Sequence, residues 1–274
     1  MKKILLSLIL ASVAQITFGQ EAADKKFQGG LVAGFGLNFQ NMGTKYVEKD
    51  GVGNDLLIGG NLNYMFNETI GLTTGIEFEF STTKFKSGVN DRQLYYYYND
   101  TKIVGTEDFD ADNSAAKSLY KLNERRQKTT YLTVPTMLIF RTNFIGYFRY
   151  FGKFGMRHSF LLGQKSHDTG ESLNFADNVP TYSLVDNDGM KAPNEVVFYK
   201  GSVGIAGGAE WNFAGTTCLM LEVGYYYGIT PLYYNRDNAY LHVMEPDVNG
   251  NIMRTSVSNK ATQGQLQFKL SVLF

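Results

Sequence analysis

A chain of 274 residues that balances 26 basic against 26 acidic side chains has no excess charge with which to hold nucleic acid. Its single cysteine, Cys218, excludes an intramolecular disulfide framework, and in a strand-like setting reads as a small apolar filler. The 20 Phe, 18 Tyr and 29 Gly beside only 5 Pro form a composition of strands, and past residue 19 no apolar run approaches the ~18 residues of a membrane helix. A membrane location would therefore have to be reached with strands.

In chain order, residues 1–19 (MKKILLSLILASVAQITFG) have the layout of a secretory signal peptide: two lysines, an apolar run from Ile4 to Leu10, then small and polar residues. The run is too short to span a bilayer. Cleavage after Gly19 is expected, leaving 20–274 as the barrel domain with 24 basic and 26 acidic residues, a formal charge of −2. No cysteine stands just past that cut to carry a lipid anchor.

Eight segments then alternate apolar and polar with period two, the pattern of strands with two unlike faces. They are 27–39, 55–66, 70–85, 129–140, 147–163, 195–211, 216–228 and 263–274. In the first, Leu31, Ala33, Phe35, Leu37 and Phe39 oppose Gly30, Val32, Gly34, Gly36 and Asn38. In the last, Leu266, Phe268, Leu270, Val272 and Phe274 oppose Gln265, Gln267, Lys269 and Ser271. The fourth is apolar on both faces around Pro135, where a missing donor predicts a bulge or a local break.

The connections alternate without exception: long (40–54), short (67–69), long (86–128), short (141–146), long (164–194), short (212–215), long (229–262). An antiparallel barrel with turns on one rim and loops on the other requires this order; a soluble sandwich does not. Aromatics collect at both strand ends, with Phe66, Phe140, Phe144, Tyr147, Trp211 and Phe274 towards the turns and Phe39, Phe85, Tyr131, Phe160, Tyr199 and Tyr227 towards the loops. A lipocalin-like soluble barrel would keep its apolar face inside. Here the polar face is crowded with Gly, Ser and Ala, which suits a narrow interior, and the apolar face is large and aromatic, which suits lipid. The expectation is all-β: an eight-stranded antiparallel transmembrane β-barrel with short periplasmic turns, four long extracellular loops and both termini in the periplasm.

Several stretches carry a resemblance. YLTVPTMLIF (131–140), YFRYFGKFGMRHSFLLG (147–163), GSVGIAGGAEWNF (201–213), LEVGYYYGIT (221–230) and the terminal LQFKLSVLF together resemble the PorT-type outer-membrane β-barrel proteins of Bacteroidetes, which share an OmpA/OmpX-like eight-stranded architecture. The resemblance implies an outer-membrane location. By resemblance to outer-membrane proteins generally, a last strand ending in Phe274 is the signal read by the barrel-insertion machinery.

The candidate site residues follow from the faces. Glu77, Glu79, Glu210 and Glu222 share the inward face with Arg149, Lys153, Arg157 and Lys269. Unpaired buried charge is costly, so these eight are expected to form a charge network that fills the barrel. The sharper alternative is an ion or solute path. Tyr95, Tyr96, Tyr97 and Tyr98, with Tyr233 and Tyr234, offer either loop recognition or a lid. DFDADNS (108–114) starts like a calcium loop, but Asn113 and Leu119 stand where Gly and Glu are required; Asp108, Asp110 and Asp112 remain as a weak divalent site, and no other metal or cofactor is expected. Ala115, Leu119 and Leu122 predict a short helix over 114–128, capped by Asn113 or Ser114.

Catalysis is not expected: His158 falls on the lipid face and His167 and His242 in separate loops, with no converging nucleophile and base. The reading is a structural or assembly subunit of a larger outer-membrane complex, with outer-membrane lipid and other outer-membrane proteins as partners. The alternatives are a small pore or uptake factor, and a surface adhesin or receptor acting through the loops.

Overall fold

The computed structural model describes residues 26–87, 93–111, 118–176, 179–214, 217–234, 239–246 and 252–274; the expected signal peptide lies outside them. The strands in chain order are β1 (Phe27–Asn41), β2 (Glu48–Lys49), β3 (Gly53–Met65), β4 (Ile70–Lys86), β5 (Leu94–Asn99) and β6 (Lys102–Val104), followed by a short helix α1 (Thr106–Ala111). After it come β7 (Ser118–Arg141), β8 (Phe148–Ala176), β9 (Val179–Leu184), β10 (Asn187–Met190), β11 (Tyr199–Ala214), β12 (Thr217–Gly228), β13 (His242–Pro246), β14 (Ile252–Ser256) and β15 (Thr262–Leu273).

Eight of these close a ring. Each of β1, β3, β4, β7, β8, β11, β12 and β15 pairs antiparallel with the next, and β15 returns to β1 from Gly30↔Leu273 to Asn41↔Thr262. The Phe274 N–H donates to Gly29 O at 2.9 Å, so the last residue completes the closure. A closed ring leaves no edge in the membrane, the condition for strands to cross one.

The faces are those of a membrane barrel. Leu31, Leu56, Ile76, Phe154, Ile205 and Leu221 stand exposed on the outside, while Asn38, Asn63, Thr133, Ser159 and Gln267 are buried inside. A soluble barrel would reverse this. Inside, Gly208 makes room for bulk: a Cβ there would stand 2.8 Å from the Phe151 ring and 1.8 Å from Leu221 O.

One expectation about the wall changes, and at Pro135 the expected local break is found. Phe85 and Tyr131 turn inward and are buried, so the aromatics on the outside near the loops are Phe39, Phe160, Phe198, Tyr199 and Tyr227. Pro135 sits inside without a register shift: the β4–β7 ladder lapses between Thr74↔Thr136 and Glu77↔Thr133, which places the missing donor on the β4 side.

β7 and β8 run well beyond the ring, and their pairing contains two one-residue bulges. The first, at Thr130/Tyr131, inserts Leu162 on β8; the second, between Leu122 and Glu124, inserts Asn123 on β7, whose carbonyl accepts from Ser87 N–H at 2.8 Å. Above them β5 and β13 extend the sheet from β7 to an edge at β14, β6 pairs with β5, and β9 and β10 pair with β8. These strands enclose an apolar core of Phe85, Leu94, Tyr96, Tyr120, Leu122 and Val243, which caps the barrel on its long-loop side.

The helix expected over 114–128 is not formed, because residues from Ser118 onward belong to β7. Leu119 and Leu122 are both buried, from opposite faces of β7, and their spacing of three imitates a helix. The helix that does form, α1, precedes this stretch.

Candidate functional site

The barrel interior is built from inward positions of all eight ring strands, and its charges meet in layers. Nearest the short turns, Arg149 grips Glu210 with two hydrogen bonds of 2.9 and 2.6 Å, Arg141 lies 3.8 Å from the same carboxylate, and Gln28 donates to it at 3.3 Å. Phe144, on the turn, lies against the Arg149 guanidinium at 4.6 Å. Met65, Ile139, Phe151, Cys218, Met220 and Leu273 form an apolar layer inside the same end of the barrel.

The central layer is continuous. Lys153 meets Glu222 at 2.5 Å. Arg157 donates to Glu77 at 2.8 Å and to Glu79 at 3.0 Å, Lys269 reaches Glu77 at 2.6 Å, and Lys200 reaches Glu79 at 2.7 Å. Gln265 links Glu79 to Asp55 at 2.8 and 2.7 Å, and Asn38 and Ser81 complete the Asp55 carboxylate. Arg157 and Glu79 are fully buried, so neither charge has water to fall back on.

The eight charges named from the sequence all lie in these layers. Lys200, Asp55 and Arg141 also belong there, although the sequence reading passed over them. Parity alone would have found them: Lys200 is in phase with Ser202 and Glu210, Asp55 with Asn61 and Asn63, and Arg141 with Met137 and Ile139.

Above the charged layers, Tyr131, Val196, Leu232, Tyr233 and Ala261 form a second apolar layer. Beside it, Gln40, Ser81, Thr83 and Gln127 line a void of about 10 Å³, no more than one water requires.

Higher still, Arg125 binds Asp168 through two hydrogen bonds of 2.9 and 2.8 Å and Glu195 at 3.2 Å, with the Tyr96 ring 5.3 Å from its guanidinium. Burial opposes the Arg125 charge, but the Asp168 and Glu195 carboxylates outweigh it and push its pKa up. Glu195 itself is raised by burial despite Arg125. No sequence pattern announces this triad, because the bulges alone align odd Arg125 with even Asp168.

Residues 14–234 match the family described as outer membrane protein beta-barrel domain. The chain belongs to that family. It is accordingly a protein of the cell outer membrane, with its barrel wall in lipid.

No curated protein matches the chain. Among solved structures, Ail, the attachment invasion locus protein of Yersinia pestis, in complex with the heparin analogue sucrose octasulfate, is 12% identical, covering 91% of this chain and 100% of Ail with a TM-score of 0.33. The outer membrane protein OprG from Pseudomonas aeruginosa is 10% identical over 93% and 98% with a TM-score of 0.35. The outer membrane protease OmpT from Escherichia coli is 8% identical over 94% and 98% with a TM-score of 0.30.

The loop tyrosines of this outer-membrane barrel divide. Tyr96 and Tyr233 are buried, which for these two follows the lid alternative: Tyr96 OH accepts from Asn187 at 3.1 Å and Tyr233 OH donates to Gln127 at 2.7 Å. Burial pushes the Tyr233 hydroxyl to about 12. Tyr95, Tyr97 and Tyr98 are half-buried, with Tyr97 stacked on Phe109 at 3.8 Å, and Tyr234 is exposed.

The three histidines lie apart. His158 Nδ1 and the Tyr199 hydroxyl are 2.8 Å apart on the outer wall. His167 turns outward to Asp188 at 3.3 Å, away from its chain neighbour Asp168, which points inward. His242 is fully buried beside the Tyr97 ring; burial, reinforced by Arg254, lowers it to about 4.

Asp108 is exposed on α1, so DFDADNS opens as helix instead of loop; the Asp110 side chain and Asp112 lie outside the described residues. Among the described residues no cluster of three or more His, Cys, Asp or Glu is arranged to hold a metal.

Proposed function

We propose that this outer-membrane barrel is a non-conducting, non-enzymatic structural or assembly subunit of a larger outer-membrane complex, which it meets through its extracellular cap. The observation that carries this reading is the closure of the interior: two charge layers and two apolar layers occupy the bore, and the cap's own core stands above them. A path for solute would need those pairs to part, and unpaired buried charge makes that costly.

The cap supplies the contact surface. Its sheet ends in β14 on one side and β9 on the other, where Ile252, Met253, Tyr182 and Leu184 are exposed, Leu184 at 83%. Edge strands with apolar side chains suit addition of a partner's strand. The same surface supports a second reading, a surface adhesin or receptor.

In this reading residues 1–19 direct export, Phe274 is read by the insertion machinery, and the protein stands with the PorT-type barrels of Bacteroidetes. Deleting Phe274 then lowers insertion more than it lowers the stability of inserted barrels.

Two measurements test the proposal. Planar bilayers should show no steady current; selective conductance would replace the subunit reading with a pore. A pull-down from native outer membranes in mild detergent should recover stable neighbours that are lost when the cap is shaved. A chain recovered alone, as a monomer, would remove the subunit reading.

A further inference from the structure

The offset between the two bulges decides what stands on the outer wall just beyond the apolar band. There the outward residues of β4, β7 and β8 align as rungs: Thr82, Lys128 and Lys165 in the first, and Lys84, Arg126 and His167 in the second. Arg126, Lys128 and Lys165 are exposed, and Lys84 is half-buried. Among the described residues none of these four cations makes an ion pair.

The acids nearby border the second rung, and Asp188 also lies within electrostatic reach of Lys165. Asp50 and Glu124 share a shallow depression with Lys84, Arg126 and His167, and Asp188 pairs with His167. The rung nearest the membrane, Thr82–Lys128–Lys165, contains no acid.

Depth identifies what this rung would meet. On β4 the outward apolar residues run from Ile70 to Phe80, ten residue steps. At about 3.3 Å per step and a tilt of about 40°, they rise about 25 Å, the height of the apolar band of an outer-membrane barrel. Lys128 and Lys165 flank the next outward rung, at head-group depth. The cluster is one-sided: on β3, β1 and β15 the first outward positions beyond the band are Asn54, Asn41 and Thr262, all uncharged, and Lys260, two residues beyond Thr262, is a single cation.

We propose that this face of β4, β7 and β8 binds the phosphate groups of an outer-leaflet glycolipid, with the acyl chains lying along Phe80, Leu132 and Leu162 below. Lys128 and Lys165 supply point charges to one phosphate, and Arg126, with Lys84 behind it, offers a planar donor pair to a second. Basic clusters bordering an apolar wall are what anionic head groups select.

The test titrates the full barrel in non-ionic detergent with diphosphorylated lipid A, with the same lipid dephosphorylated, and with inorganic phosphate, read by native mass spectrometry. The expected result is a stoichiometric complex with the phosphorylated lipid. It should weaken at least tenfold for the dephosphorylated lipid and for the triple variant Arg126→Gln, Lys128→Gln, Lys165→Gln, and stay unchanged for Lys260→Gln on the opposite wall. Equal binding of the two lipids, or unchanged binding by the triple variant, would overturn the proposal. Binding of inorganic phosphate as tight as that of the lipid would also overturn it, by assigning the patch to a free anion. Should the triple variant lose its folded barrel, the wild type decides: lipid binding must fall steeply between low and high salt, and salt-independent binding refutes a charge-built site.

Discussion

Within the membrane the ring strands turn charge inward and apolar side chains outward, whereas in the cap the same β7 and β8 turn Tyr120 and Leu122 inward and Glu124 and Arg126 outward. Pairing chemistry is identical in the two regions. The difference lies in what surrounds each: lipid excludes unpaired charge from the wall, so ions are sequestered in the bore, while water around the cap restores the ordinary apolar core. The interior is therefore held by directional pairs whose members depend on one another, and the cap by non-directional burial. The two regions should fail differently.

The largest effect is expected from Arg157→Ala, which strands Glu77 and Glu79 without their shared partner. A loss of about 3–5 kcal/mol is expected in urea unfolding of the refolded barrel. Next, Leu122→Ala should cost about 2–5 kcal/mol, read as faster hydrogen exchange in β5, β7 and β13 while the ring strands keep their protection. If both variants lower one common transition by similar amounts, cap and barrel are a single cooperative unit and the contrast fails.

Acid should act on the cap through His242, whose folded-state value is about 4 against an ordinary 6.5. Between those values the unfolded chain binds the proton first, so the stabilising contribution of neutral His242 is present above pH 6.5 and lost as pH falls towards 4. The loss is about 3 kcal/mol in total. Glu195, raised by burial, contributes in the opposite sense, so the effect is measured as the difference between wild type and His242→Gln. The smallest change, about 1 kcal/mol, is expected for Tyr96→Phe, which removes the acceptor for the Asn187 amide.

Much of the ring was legible because lipid on one side and a packed polar bore on the other enforce strict alternation, which survives even at Pro135. The interior charges were legible by parity, including Lys200, which the reading overlooked. The cap was not, because its ladders join stretches far apart in the chain, such as Leu94–Tyr95 with His242–Val243, and no local pattern records that partnership. For the same reason the sequence left Tyr96 and Tyr233 open between recognition surface and lid. Leu119 and Leu122 suggested a helix because both faces of β7 are covered in the cap, so that apolar residues three apart are buried on opposite sides.

The two bulges behave as a frameshift and its suppressor. Leu162 advances β8 by one residue, Asn123 later advances β7 by one, and only between them do odd positions of β7 face even positions of β8. That short window holds the Arg125–Asp168 pair inside and the Lys128–Lys165 pair outside. Were β8 to run on in strict alternation without forming the bulge, Asp168 would turn out towards water and Lys165 towards the core, whereas deleting Leu162 itself would leave Thr130 opposite Gly163 and Arg125 opposite Asp168. A single inserted residue in each strand thus writes both the seal of this barrel and the charge it shows to the membrane surface.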